Sequence, residues 1–297
     1  MKSPPRQASR RHGWKRRWPS QAFPARKRRR CWTARRWTVN TLREALLDLP
    51  MPGEPTAAPH GLRFPSDSQV EKWDAYANGV IEVQDTGSQL VCEAVGAQPG
   101  ETIIDLCAGA GGKTLQLAAA MNDSGRLIAS DTDRGRLSRL PQRAARAGAS
   151  CIETVLLNPG KEAEALSEWQ PSEWNGAGKA DAVLIDAPCS GTGTWRRNPE
   201  ARWRLTQAGL DRLVGTQERL LDLAATLVRP GGRLVYVTCS LLDVEGAAQA
   251  VGFLSRHGGW RAEMPPLPAG RSHGPGLRLT PAHDGTDGFF VARFTRL

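Results

Sequence analysis

Between residues 101 and 294, short apolar runs alternate with amphipathic stretches. ETIIDLC (101–107) reads as a buried strand, and a glycine cluster leads from it into the apolar-periodic TLQLAAAM (114–121). RLIASD (126–131) is a second strand, RLSRLPQRAARAG (136–148) a basic helix, TVLLN (154–158) a third strand and DAVLIDAP (181–188) a fourth. A long helix is predicted over 206–228. Gly231 and Gly232 then turn into RLVYVTCS (233–240), the fifth strand, and GFFVARF (288–294) is the last. Strands separated by helices in this way predict a doubly wound α/β sheet, with its ligand site at the carboxyl ends of the strands. Upstream, VNTLREALLDLP (39–50) predicts a strand entering a short helix, and GLRF (61–64) another strand. That is too little for an independent domain. No apolar run approaches the length of a membrane-spanning helix.

Charge changes the picture at one end. The chain of 297 residues carries a formal charge of +10, yet residues 1–40 hold 14 of its 40 Lys and Arg and no acidic residue. The rest is near neutral to slightly acidic. Residues 1–37 are basic, interrupted by Pro and interleaved with Trp, without helical periodicity, and are expected to form a disordered tail. Their composition would also suit an arm that grips phosphates and stacks on bases. They lack the apolar core of a secretory signal and the apolar face of a transit peptide. Six cysteines (Cys31, Cys92, Cys107, Cys151, Cys189, Cys239) occur without C-x-x-C spacing. This argues against a zinc cluster or a disulfide scaffold and for a reducing cytoplasm. No metal is expected.

The loop DLCAGAGGKT (105–114) fails two familiar patterns by one residue each. A P-loop requires glycine where Cys107 stands, and a dinucleotide fingerprint starting at Gly109 and Gly111 meets Thr114 at its third glycine. What remains is an acidic strand end, a flexible loop and a helix start. Asp131 ends the second strand, where a carboxylate can accept both ribose hydroxyls of a nucleoside; it could also simply cap the next helix. A nucleoside cofactor is expected, of a kind the loop alone does not specify.

Two cysteines stand apart from the others. Asp-Ala-Pro-Cys-Ser-Gly (186–191) and Val-Thr-Cys-Ser (237–240) each place a cysteine just past the carboxyl end of an apolar strand. Isolated cysteines are usually small core residues, and Cys92, Cys107 and Cys151 fit that description. A pair at equivalent strand ends in polar, turn-rich contexts does not. Methylating carbon 5 of cytosine requires a thiolate to add first at carbon 6, chemistry for which cysteine is suited. Asp186 is placed to relieve charge developing at ring N3. Arg196 and Arg197 are natural phosphate ligands or ordinary surface charges.

From about Val80 onward the chain resembles the bacterial Sun/Fmu (RsmB-type) branch of the Nop/Sun RNA 5-methylcytosine methyltransferases. The matching segments, in family order, are VQDTGSQL (83–90), DLCAGAGGKT, the Asp131 strand end, DAPCSGTGTWRRNP (186–199), VTCS and DGFFVARF (287–294). The resemblance implies a class I methyltransferase, Rossmann-like, with a seven-stranded sheet whose last strand is antiparallel and helices on both faces. It implies S-adenosyl-L-methionine held by Cys107, Ala108, Gly109, Ala110, Gly111, Gly112 and Lys113 together with Asp131, Asn158 and Asp186. It implies Cys239 as the nucleophile, Cys189 as the residue that assists breakdown of the adduct, and Asp186 as the contact to cytosine. Cytosine-5 DNA methyltransferases instead use the cysteine after the fourth-strand proline, usually in PCQ, and the TCS element argues against that assignment.

The loop reads AGAGG where many relatives have AAPGG, and Asn158 stands where the family usually has an acidic residue near the adenine. Residues 38–79 are expected to form a truncated N-terminal RNA-binding subdomain ahead of a methyltransferase domain at 80–297, without the helical NusB-like domain of full-length relatives. The expected partner is RNA, most directly 16S rRNA with tRNA as the alternative, acted on by a cytoplasmic monomer. Two rivals lie outside this class. A nicotinamide-dependent oxidoreductase would leave the paired cysteines without a role, and a non-catalytic RNA-binding relative would have no need of them.

Overall fold

The computed structural model describes residues 37–41, 49–169 and 180–297. The expected tail up to residue 36 and the expected helix after the first strand, at 42–48, lie outside the described residues.

Two sheets organise the rest. The smaller is antiparallel throughout, with β1 (Trp37–Thr41), β2 (Glu54–Pro55), β3 (Gly61–Phe64) and β4 (Ile81–Val83) in the order β2-β3-β1-β4. Ile81–Val83 pair with β1, so this sheet reaches past residue 79. Phe64, Val70, Trp73 and Ile81 form its core, with the Phe64 and Trp73 rings edge to face at 4.9 Å between centroids.

The larger sheet contains β5 (Thr102–Asp105), β6 (Arg126–Asp131), β7 (Ile152–Leu156), β8 (Ala180–Asp186), β9 (Val228–Thr238), β10 (Trp260–Glu263), β11 (Arg271–His273), β12 (Gly276–Leu279) and β13 (Phe289–Arg296). Its order is β11-β12-β13-β9-β8-β5-β6-β7. β5 to β9 run parallel, and β13 lies antiparallel to β9. The antiparallel last strand is present as expected, but in place of seven strands the sheet has nine among the described residues. The free edge of β13 is shared: Phe289–Ala292 pair with β12 and Arg293–Arg296 with β10, and β11 closes a hairpin onto β12. These strands are too short, at three or four residues, to show period-two patterning.

The central strands read as unbroken apolar runs because both faces are covered. Successive residues alternate between two cores. Ile104, Ile128, Val183, Leu234 and Phe294 face one, while Ile103, Leu127, Leu184, Val235 and Val291 face the other. Helices α1 (Thr86–Glu93), α2 (Gly112–Ala120), α3 (Leu140–Ala147), α4 (Glu162–Trp169), α5 (Gln207–Leu227) and α6 (Ala247–Arg256) connect the strands. Local signals set their ends. Asp85 caps α1 by accepting from Gly87 N at 2.9 Å, and Thr206 caps α5 by accepting from Gly209 N at 3.1 Å. The single basic helix expected over 136–148 is two pieces, since Pro141 opens α3 after a separate turn at Arg134–Leu137.

One polar group sits deep in this core. Asp105, the last residue of β5, is fully buried; Thr114 donates to its Oδ2 at 2.7 Å, and its Oδ1 has no partner. Burial pushes its carboxyl up to about 7, with Thr114 opposing and the Asp186 and Asp131 charges adding to the rise.

Two outcomes follow. The folded chain holds the Asp105 proton more tightly than the unfolded chain, so its contribution to stability is greatest below the unfolded pKa and is lost as pH rises to about 7. Asp105→Asn should flatten that part of the curve, measured by urea unfolding between about pH 5 and 8. Phe253 is fully buried and packs against Trp260 and Phe294 at centroid distances of 5.3 and 4.8 Å. Phe253→Ala should cost about 3–5 kcal/mol in the same measurement.

Candidate active site

β8 and β9 pair in register with Asp186 opposite Val237, so the two strands end at the same edge of the sheet. The polypeptide leaves β8 through Ala187-Pro188-Cys189 and leaves β9 directly into Cys239. The loops converge, and the Sγ atoms of Cys189 and Cys239 lie 3.4 Å apart, both partly exposed. The five described cysteines are all free thiols.

The two thiols are electrically unequal. The hydrogen bond with Cys189 holds the Cys239 thiol below its ordinary range against the burial that would raise it, while Asp186 raises it and Lys113 lowers it. The Cys189 thiol is pushed well up by that same bond and by burial, and the Glu245 carboxylate adds to the rise. In the contact between them either sulfur can donate to the other, so the proton of one thiol supports the ionisation of its neighbour. Cys107 and Cys92 are pushed well up by burial, and Cys151 up to about 12, which leaves them inert at neutral pH.

Beside the thiols, Lys113 Nζ donates to Asp186 Oδ2 at 2.6 Å. Burial works against the Lys113 charge, but the Asp186 carboxylate holds the ammonium well above its usual range. The Lys113 ammonium also lies 5.8 Å from the centroid of the Phe289 ring.

The glycine loop bends sharply between β5 and α2. Gly109 (φ +57°) and Gly111 (φ +86°) are left-handed, and a Cβ at Gly111 would come within 2.1 Å of the Leu140 side chain. Gly111 N donates to Ala108 O at 2.9 Å, Ala108 N to Ser130 O at 2.9 Å, and Arg143 donates to Ala110 O. Gly112, Lys113 and Thr114 follow as the first turn of α2, whose amides have no intrahelical partner. Asp131, 7% exposed, accepts from Gly109 N on one oxygen and from Asp133 N on the other, each at 2.7 Å. Each oxygen keeps accepting capacity for a ligand.

Other expectations fare differently. β7 ends at Leu156, two residues before the strand end expected from sequence, but Leu157 N still donates to Asp131 O at 2.9 Å, so the exposed Asn158 lies next to the Asp131 strand end. The partly buried Cys107 packs its side chain against the hydrophobic core. Arg196 and Arg197 pair with the fully buried Asp287 at 3.2 and 2.5 Å, so both guanidinium groups have a structural partner.

Several structural partners went unseen in the sequence. Asp287 N donates to Asp85 Oδ1 at 3.2 Å, linking two of the segments that carried the resemblance through residues given no role there. Gly193 N donates to Cys239 O at 3.0 Å and Gly288 N to Gly193 O at 2.9 Å. A Cβ at Gly193 would come within 2.0 Å of Gly288 O. Glu245, fully buried five residues past Ser240, binds both cysteine loops. Its sequence context, LLDVEGAA, gives no sign of this. Among the described residues no cluster of His, Cys, Asp or Glu could hold a metal ion, and no helix is long and apolar enough to cross a membrane.

The chain can now be set beside known proteins. A family model described as 16S rRNA methyltransferase RsmB/F matches residues 93–295. Ribosomal RNA small subunit methyltransferase B of Pectobacterium atrosepticum is 35% identical over 259 residues, which are 86% of this chain and 57% of that protein. The probable ribosomal RNA small subunit methyltransferase B of a Synechocystis species is 37% identical over 249 residues, 80% of this chain and 53% of that protein. This chain thus spans just over half the length of these relatives. The crystal structure of NSun6 from Pyrococcus horikoshii with SFG superposes with a TM-score of 0.67 at 26% identity, covering 80% of this chain and 60% of that one. The chain belongs to the 16S rRNA methyltransferase RsmB/F family, and S-adenosylmethionine, expected from its sequence, is the methyl donor of that family.

Proposed function

We propose that this chain methylates carbon 5 of a cytosine in RNA, most directly 16S rRNA, through a covalent cysteine adduct at carbon 6. The observation that carries this reading is the thiol pair 3.4 Å apart at the ends of β8 and β9, beside the Lys113–Asp186 ion pair. A nicotinamide oxidoreductase built on this sheet would leave these thiols idle.

The residues suit the cofactor. The loop Cys107–Lys113 brings backbone close to a ligand through Gly109 and Gly111, the first turn of α2 offers free amides, and Asp131 offers acceptors for ribose hydroxyls. Asn158 follows Leu157, whose amide donates to Asp131 O at 2.9 Å, and its exposed side chain can meet the base of the same nucleoside. When bound, S-adenosylmethionine supplies the methyl group as an electrophile.

The remaining steps belong to the protein. The Cys239 thiolate adds to carbon 6 of the cytosine, and the electron pair of the 5,6 double bond becomes available at carbon 5. Ring N3 takes up a proton from solvent as charge develops there, and the Asp186 carboxylate, held by Lys113, accepts the hydrogen bond of that N–H. Once carbon 5 is methylated, its proton passes to a water molecule, the C–H electron pair re-forms the double bond, and the carbon–sulfur bond breaks to return the Cys239 thiolate. Cys189, in contact with that sulfur, assists this last stage.

Cys239→Ala should lower methylation by about 10³-fold or more, measured as methyl transfer from labelled S-adenosylmethionine to 16S rRNA. Cys189→Ala should instead retain the RNA as a covalent protein adduct resistant to denaturant. Equal, adduct-free loss in both variants would overturn the assigned roles.

A further inference from the structure

The two cysteine loops end on one buried carboxylate. Glu245 Oε1 accepts from Ser190 N at 2.8 Å and from Gln217 Nε2 at 3.1 Å. Glu245 Oε2 accepts from Ser240 Oγ at 2.6 Å and from the Ser190 hydroxyl. Ser190 follows Cys189 and Ser240 follows Cys239. Gln217 also donates to Pro188 O at 2.9 Å, so residues on both sides of Cys189 are tied to the same point. The Glu245 backbone is fixed in turn, because Tyr236 OH donates to Glu245 O at 2.8 Å and Thr238 Oγ1 at 3.3 Å. The carboxylate therefore hangs from β9, whose end carries Cys239.

We propose that Glu245 is the positioning residue that holds Cys189 and Cys239 in contact. This deepens the function proposed above and rests on that reading for its catalytic meaning. Four donors fill the accepting capacity of the carboxylate, two on each oxygen, so none remains for a substrate. Glu245 touches neither thiol and acts through the serines. The serine after each cysteine thereby acquires a reason: one hydroxyl from each loop reaches the same anchor. Thr192 reinforces the arrangement, lying 3.1 Å from Ser240 Oγ and accepting from Leu241 N at 2.8 Å. Removing the anchor leaves the Ser190 amide without its acceptor and the two serine hydroxyls, 3.2 Å apart, with only each other and Thr192, a cost the loops can relieve by moving apart.

The test reads thiol geometry without RNA or cofactor. Iodoacetamide alkylation of Cys239, followed by peptide mass spectrometry across a pH series, reports the ionisation that contact with Cys189 favours. In Glu245→Ala the midpoint should move up by about one pH unit, making alkylation at neutral pH about tenfold slower. Ser190→Ala and Ser240→Ala should each produce part of that shift. Glu245→Gln, which keeps one acceptor oxygen and can donate to hydroxyls that turn about, should restore most of the wild-type profile. In a Cys189→Ala background, Glu245→Ala should add little, because both changes remove the same contact. If Glu245→Ala does not fold, the two serine variants decide the matter. Folded variants whose Cys239 profile overlies that of the wild type would overturn the proposal. A shifted profile in a protein that transfers no methyl group would leave the positioning role standing and refute the proposed function instead.

Discussion

The site depends on the parallel register of β8 and β9. With Asp186 set opposite Val237, both strands stop at one edge, and the loops that leave them meet. A register slip between parallel strands would displace one cysteine relative to the other along the strand direction by about 3.3 Å per residue, as far as the thiols are now apart. The register is pinned by burial on both faces, since Val183, Leu184, Leu234 and Val235 are fully buried. The irregularity in this pair falls at its far end, between Ala180 and Ala182, where β9 bulges through Pro230, Gly231 and Gly232. Distortion is thus absorbed at the end of the strands away from the thiols.

Charge placement works on the same edge. Lys113 and Asp186 come from a helix start and a strand end respectively, and their pairing lets two charges persist in a half-closed site. Asp105, Asp131 and Asp186 all end parallel strands of the sheet, two of them neighbours of β5. Their proximity is one reason the most buried of them, Asp105, is driven toward its neutral form.

Much of the fold was legible because burial writes itself into sequence. The runs IIDL, LIAS, VLID and VYVT are apolar on both faces, and the structure makes each a central strand. Cys189 and Cys239 were legible for a related reason: each follows an apolar strand in a polar turn, and the structure brings them into contact. The short strands β10, β11 and β12 were not legible, because partners distant in sequence decide whether three or four residues pair. Asn158 was placed at a strand end that lies two residues earlier, since β7 sits at the sheet edge and its residues are only partly buried. Glu245 was invisible because a buried acid is recognised by its donors, and these come from positions 190, 217 and 240.

The contacts of Asp287 bind the cysteine loop to a strand distant from it in sequence. This residue lies two positions before β13 and binds Arg196, Arg197 and Asp85, while its neighbour Gly288 bonds to Gly193 in the cysteine loop. Without these contacts β9 would have an open edge, two arginines would lack their counter-ion, and the loop beyond Cys189 would have nothing to close against. The surroundings of the thiols thus rest on a contact that spans 91 residues of sequence, and closing so long a loop is a slow, non-local step of folding.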